Sequence, residues 1–318
     1  MKKADLSIIT PIYNGERYLR EVIESVMSQE NIQIQMIIVN DGSTDSSLEI
    51  AKEWQERFPD QIEVIDQPNA GEATAVNNGM ARVQTEFVGV VNADDPLLPG
   101  HCRKVVDALL LDAEAVVAYP DWLMINADGA SIRNVQTLDF TKRALVADVV
   151  CIPGPGAIIR VSAARDFPLR EKQFKYISDY VLWLRMSSRG HFVRVPETLA
   201  TWRQHDLGTT ALAGSRATTA EIQYVVEKNF LGFCGEPISS KWLRSARAHA
   251  NYHAASGALG DKGIPGRRLL LKSFLIKPYP SFGYSTHHRS LLASIAIFLG
   301  PIGRKAQKLR ARAESSDS

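Results

Sequence analysis

The sequence predicts an α/β fold: a mostly parallel sheet flanked by helices, followed by an α-helical C-terminal extension. Three observations carry this. Short Val- and Ile-rich runs alternate with segments whose apolar residues fall at helical spacing. Each run ends in a turn rich in Pro, Gly, Asn or Asp. The run at residues 88–91 breaks abruptly into Asn92, Ala93, Asp94 and Asp95, with Pro96, Pro99 and Gly100 beyond it, so neither strand nor helix continues there.

The elements follow in order. Residues 6–10 form a strand, and residues 11–15 the turn that stops it. Residues 16–29 carry Tyr18, Leu19, Val22, Ile23, Val26 and Met27 at helical spacing. Residues 35–39 form a second strand, ending in a turn that offers Asp41, Gly42 for close backbone approach, and Ser43 or Asp45 as helix caps. A helix over 46–58, a strand over 62–65, a helix over 71–81 and a strand over 86–91 complete the series. Successive strand–helix units imply parallel pairing with helices on both faces. The loops after the first, second and fourth strands then share one crevice, where ligands of open α/β sheets bind. Neither G-x-G-x-x-G nor G-x-x-x-x-G-K-[ST] occurs, which argues against dinucleotide and P-loop folds.

Composition narrows the function classes. The chain has 318 residues, 45% hydrophobic and 23% charged, so a large core is within reach. A net charge of +2 gives no basis for nucleic-acid binding. Cys102, Cys151 and Cys234 lack metal-site spacing and read as reduced thiols of a cytoplasmic protein. No secretory segment opens the sequence and no apolar run reaches membrane-spanning length.

Asp94 and Asp95 are the chemical focus. Two adjacent carboxylates at the end of a buried strand are costly unless a positive group accompanies them. A divalent cation carrying a phosphorylated ligand meets that need; the plainer reading is an acidic turn capping the next helix.

Further along, residues 116–125 read as a strand interrupted at Pro120, and 126–130 as a hairpin turn. Residues 151–160 combine a glycine-containing loop with a strand. Ser178 or Asp179 begins a helix whose apolar face includes Val181, Leu182, Leu184 and Met186. Taken alone, Asp179 reads as a helix cap. An edge strand with Trp202 and Arg203 then leads to His205.

Four motifs in order complete the picture. They are residues 7–15; residues 39–45; the pattern Q-x-N-x-G-x-x-x-A-x-N-x-G as Gln67, Asn69, Gly71, Ala75, Asn77 and Gly79; and the acidic turn. With Asp179 before an aromatic and L-W-L-R, and W-R-x-H at Trp202, Arg203 and His205, the first 210 or so positions resemble the family-2 glycosyltransferases of the GT-A fold.

The resemblance implies a Rossmann-like GT-A domain over 1–212, with a nucleotide-binding half at 1–100 and an acceptor-side half at 101–212. Residues 213–318 follow as a helical extension with a basic tail. It implies inverting transfer of a sugar from a nucleoside-diphosphate sugar to a hydroxyl of a glycan or lipid-linked acceptor, in surface polysaccharide or glycan synthesis. Asp179 is then the catalytic base. Thr10, Pro11, Tyr13, Asp41, Gly71 and Asn77 hold base and ribose, and Asp94 lies near the ribose or donor sugar. Gly154 and Gly156 let a sugar approach the backbone, and Arg203 offsets diphosphate charge. Asp95 and His205 hold Mn²⁺ or Mg²⁺. Asn92 stands where the family often has Asp, and Ser178 where it often has Glu. Those departures favour the alternative, a non-catalytic nucleotide-sugar or glycan-binding protein on the same fold. A nucleotidyltransferase is disfavoured because residues 11–15 carry no basic side chain.

Beyond residue 213, amphipathic helices are expected at 217–230, 241–258 and 267–276. The apolar run 291–299 precedes Arg304, Lys305, Lys308, Arg310 and Arg312. Such a segment suits the headgroup region of an anionic membrane, giving peripheral contact through 291–312, or equally a packed helix with a solvated tail.

Overall fold

The computed structural model describes residues 4–206, 208, 215–230, 235, 237–259, 273, 275 and 276. Two compact units divide the chain: residues 1–140 with 151–212, and residues 141–150 with 213–318.

The first unit is built on one eight-stranded sheet in the order β3-β2-β1-β4-β7-β5-β6, with β8 paired to β5. Its strands are β1 (Leu6–Ile12), β2 (Ile34–Asp41), β3 (Ile62–Gln67), β4 (Phe87–Val90), β5 (Ala115–Asn126), β6 (Ser131–Val135), β7 (Ile158–Arg160) and β8 (His191–Gln204). The β1–β2, β2–β3, β1–β4 and β5–β8 pairs are parallel; β7 runs antiparallel to β4 and β5, and β6 to β5. Helices α1 (Glu16–Met27), α2 (Ser47–Arg57), α3 (Glu72–Met80), α4 (His101–Leu111) and α6 (Ser178–Met186) accompany the sheet. The expected mostly parallel sheet with flanking helices is therefore present.

The core follows the apolar periodicities. Tyr18, Leu19, Val22, Ile23 and Val26 of α1 are buried together with Ile8 and Ile12 of β1 and Met36 and Ile38 of β2. Alanine and glycine set the closest approach. Ala75 of α3 is fully buried, and a Cβ on Gly79 would stand 2.6 Å from Ile9 Cγ2. Helix α3 can thus lie directly on β1.

Two strands run further than their prolines suggest. β1 continues through Pro11, which sits past the last β1–β4 pair, Ile9 with Val90, where only the β2 side is still paired. β5 is not interrupted at Pro120. Its register against β8 shifts on both sides of Asp121, so the strand bulges where it was expected to break. The hairpin turn after β5 is present, with Asn126 N–H donating to the Ala130 carbonyl at 2.9 Å.

The second unit contains α5 (Lys142–Val146), α7 (Ser215–Phe230) and α8 (Ser240–Leu259). Thr141 caps α5 by accepting from Ala144 N–H at 3.1 Å, and Ala144, Leu145 and Val146 are buried. His249 of α8 is sealed, its Nδ1 2.9 Å from the Ser245 carbonyl and 3.2 Å from that of Ala147. The expected helix at 267–276, three residues apart, and the tail at 291–312 lie outside the described residues. No described helix is long and apolar enough to cross a membrane.

Candidate active site

Turns after β1 and β2 are laced together before any ligand is considered. Asn14, held at φ 53°, accepts from Thr44 N–H at 2.8 Å. Ser43, Ser47 and Asp45 in turn accept from the backbone N–H of Asn14, Gly15 and Glu16 at 3.1, 2.9 and 3.1 Å. Asp41 ends β2 nearly fully buried. One of its oxygens accepts from Gln67 Nε2 and Ala70 N–H, the other from Gly71 N–H, all at 2.8 Å. The carboxylate expected to read the nucleotide thus also shapes the β3–α3 turn. Gly71 has φ +88° and nothing within 4 Å of where a Cβ would be, leaving that side of the backbone open. Thr10 is fully buried with no partner for its Oγ1, Pro11 is half-buried, and Tyr13 is exposed beyond the strand end.

Asn77 faces a different neighbour. Its Nδ2 donates to the Arg170 carbonyl at 2.7 Å and its Oδ1 accepts from Arg170 N–H at 3.1 Å. That amide clamp fastens α3 to the segment before α6. Asn77, Pro168, Arg170, Glu171, Lys172 and Gln173 line a cavity of about 420 Å³.

The acidic turn separates its two carboxylates by environment. Asp95 is buried and accepts from Arg203 N–H at 2.8 Å and from Asn92 Nδ2 at 3.0 Å. Burial, with the Asp94 charge beside it, raises its carboxyl to about 7. Asp94 is more open and lies 2.8 Å from His205 Nε2. The structure therefore sets His205 against Asp94, not Asp95, and gives Asn92 a structural task as donor to Asp95.

Arg203 does not reach toward a ligand. Its side chain is 1% exposed. Nε donates to the Asp94 carbonyl at 2.9 Å, Nη2 to Glu21 at 2.6 Å, and Nη1 lies 3.4 Å from the carbonyls of Asn126 and Ala127. The Tyr18 ring packs beneath it, 4.5 Å from centroid to Cζ. All its donors are directed into the protein, so the expected offset of diphosphate charge gives way to a staple that fixes the acidic turn.

Carboxylate and imidazole at Asp94 and His205 form a donor pair suited to Mg²⁺ or Mn²⁺. No cluster of three or more His, Cys, Asp or Glu suited to a metal occurs among the described residues. Further coordination would fall to a ligand phosphate and water, as is usual for Mg²⁺.

Asp179 is exposed in the first turn of α6. It is not the cap: Ile177 holds that position without a side-chain bond. Asp179 Oδ1 accepts from Tyr180 N–H at 2.7 Å, and Oδ2 lies 3.9 Å from Cys151 Sγ. Ser178 points elsewhere, accepting from Glu171 N–H at 2.9 Å, while Glu171 pairs with Arg185.

Gly154 and Gly156 are glycines for a reason other than the expected one. A Cβ on Gly154 would stand 2.7 Å from Trp122 Nε1. A Cβ on Gly156, at φ +78°, would stand 2.6 Å from Ala200 Cβ and 2.7 Å from His101 Nε2. Protein side chains fill the space each glycine leaves, so the loop sits tightly on β5, β8 and α4. His101 was not singled out from the sequence. It is buried at the start of α4, 2.8 Å from the Gly156 carbonyl, and a single His among apolar residues carries no signal of that contact.

Comparison with known proteins now bears on this geometry. The Nostoc sp. (strain PCC 7120) protein named Uncharacterized glycosyltransferase alr2836 is 28% identical over 228 residues, 69% of this chain and 70% of that protein. The Bacillus subtilis Minor teichoic acid biosynthesis protein GgaA is 38% identical over 117 residues, 35% of this chain and 26% of that protein. Crystalline S. aureus TarS 1-349 in complex with UDP-GlcNAc superposes with a TM-score of 0.65 at 15% identity, over 96% of this chain and 92% of that one. The likeness establishes the GT-A fold. Residues 7–167, just over half of the chain, match the model described as Glycosyl transferase family 2, and the chain belongs to that family.

Proposed function

We propose that the protein is an inverting glycosyltransferase that moves a sugar from a nucleoside-diphosphate sugar to a hydroxyl of a glycan or lipid-linked acceptor, in assembly of a surface polysaccharide. The carrying observation is the division of labour at the site: a part-buried carboxylate–imidazole pair, Asp94 with His205, and a separate exposed carboxylate, Asp179. UDP-GlcNAc in the TarS structure supports the donor class, and the GgaA relative supports a surface glycan. We assign residues 1–100 to donor binding, 101–212 to the acceptor side and 213–318 to a helical extension. The proposed setting is the cytoplasm, with peripheral membrane contact through 291–312.

In this reading Asp94 and His205 would hold a divalent cation, whose charge would offset that of the leaving diphosphate. Tyr13 offers its exposed ring to the base, and Thr10, fully buried within β1, supports the strand end from beneath. Asp41 and Asn77 keep the wall of the ribose site in place through the bonds they make to residues 67–71 and 170. Asp179 accepts the acceptor hydroxyl's proton as that oxygen bonds to the anomeric carbon. The bond from that carbon to the diphosphate breaks, the configuration inverts, and the nucleoside diphosphate leaves. Position and deprotonation suffice, without a covalent nucleophile. Asn92 and Ser178 each have a partner in the folded protein, Asp95 and the Glu171 backbone, and the binding-module alternative is separated by turnover alone.

Asp179→Asn and Asp94→Ala test the reading together. Asp179→Asn keeps shape but loses basicity, and its transfer rate should fall by roughly 10²–10⁴-fold with nucleotide affinity unchanged. Asp94→Ala should lose cation-dependent nucleotide binding, read by calorimetry. Transfer at the parental rate in Asp179→Asn overturns the base. Parental protein that binds donor and never turns over establishes the binding module instead.

A further inference from the structure

Tyr18 has a task that core packing does not explain. Leu19, Val22, Ile23 and Val26 of α1 belong to the apolar core cluster. Tyr18, in the first turn of the same helix, is also buried, but its ring lies among charged and polar side chains. The Arg203 guanidinium stands 4.5 Å from its centroid and that of Arg17 5.0 Å. The His205 imidazole is the third neighbour, with 5.2 Å between ring centroids and a tilt of 57°. Tyr18 Oη is buried without a hydrogen-bond partner among the described residues, so the ring, not the hydroxyl, makes these contacts.

His205 needs such a neighbour. Strand β8 ends at Gln204, so the ladder of the sheet does not hold the next residue. The contact of Nε2 with Asp94 Oδ2 at 2.8 Å engages one edge of the imidazole. That contact alone fixes a direction and leaves the ring free to turn about it. An aromatic ring packed against the imidazole removes that freedom. Strand alternation explains why one tyrosine serves two residues, because positions 203 and 205 fall on the same side. Glu21 lies three residues after Tyr18, on the same side of α1, and accepts from the Arg203 guanidinium.

We infer that Tyr18 is a positioning residue for the cation pair: its ring holds the plane of the His205 imidazole and so keeps Nε2 on Asp94. The inference rests on the reading of Asp94 and His205 as cation ligands and deepens it. A metal-binding histidine is commonly oriented by a hydrogen bond to its other ring nitrogen; here an aromatic face supplies orientation. Since the hydroxyl is unpartnered, phenylalanine should serve as well as tyrosine. Leucine keeps apolar bulk at the position but offers no flat face.

The experiment reads cation binding, independently of turnover. Full-length protein is titrated with Mn²⁺ in the presence of UDP or GDP, and the free ion is followed by electron paramagnetic resonance. Nucleotide affinity without cation is measured by calorimetry alongside. Tyr18→Leu should weaken Mn²⁺ binding roughly 10–100-fold, Tyr18→Phe should stay within about threefold of the parent, and cation-free nucleotide affinity should be the same in all three. In a His205→Asn background, Tyr18→Leu should cost no further Mn²⁺ affinity, because the ring acts through the imidazole. Parental Mn²⁺ affinity in Tyr18→Leu overturns the inference. So does an equal loss with and without His205, or a parallel loss of cation-free nucleotide binding, since either marks Tyr18 as a structural support of the Arg203 region. A parent that takes up no Mn²⁺ with either nucleotide overturns the cation reading itself, and the positioning role with it.

Discussion

A neutral imidazole sealed at the start of α4 must stay neutral while the protein is folded. His101 Nε2–H donates to the Gly156 carbonyl, so Nδ1 is left bare, buried and without a partner. A second proton there would have nothing to bond to. Burial accordingly pushes the group from an ordinary 6.5 down to about 4. The sign follows. Above pH 6.5 the imidazole is neutral in both states and its stabilisation is complete; as pH falls toward 4 only the unfolded chain takes up the proton. Over that window His101 should cost about 3 kcal/mol of stability. His101→Gln keeps an N–H near Gly156 and cannot titrate, so urea denaturation at several pH values should show a flatter profile between pH 6.5 and 4. Parallel profiles for parent and variant would refute the assignment. Residue identity alone hid this, whereas motif spacing singled out Asp94, Asp179 and His205 as candidates. What spacing could not tell was orientation: which acid meets His205, and that Arg203 turns inward.

At the level of elements, the strand ends and the helices over residues 16–81 were legible to within a few residues, because period-2 and period-3.6 patterns are clean there. The bulge in β5 was not, since Pro120 reads the same at a strand end and at a register shift. Helix α4 was also passed over. Its Cys102, Val105, Val106 and Leu109 do recur at helical spacing, but they follow directly on Pro99 and Gly100, whose breaker signal dominates locally. Within the Gln67–Gly79 motif, Gln67, Gly71, Ala75, Asn77 and Gly79 each have a packing or bonding task. Gly79 is the sharpest case. Gly79→Ala adds a methyl 2.6 Å from Ile9 Cγ2, forcing α3 away from β1. A helix-interior alanine would otherwise stabilise by about 1 kcal/mol, so the sign of the change decides between propensity and packing. The expected outcome is a net loss of about 1–3 kcal/mol by chemical denaturation; a gain would mean that α3 sits further from the sheet.

On the scale of the whole molecule, the two units do not follow the order of the chain. The sequence suggests a cut at residue 212, yet residues 141–150 cluster with those after 213. Helix α5 buries Leu145 completely, and His249 of α8 lies against the Ala147 carbonyl that follows it. A fragment ending at residue 212 should therefore expose Ala144, Leu145 and Val146. The prediction is that it is less soluble and melts lower than a fragment ending at residue 276; equal melting temperatures and solution behaviour would show that α5 needs no partner from the later helices. The Arg203 staple has a further consequence, in time instead of space. It joins Glu21 to a residue 182 positions later, and His205 joins Asp94 across 111. Contacts of such separation form late, because the chain must close long loops before they reward it. On the ribosome, the acidic turn would emerge long before the arginine that fixes it. The nascent protein should have its first strands and helices well before the acidic turn is fixed in place.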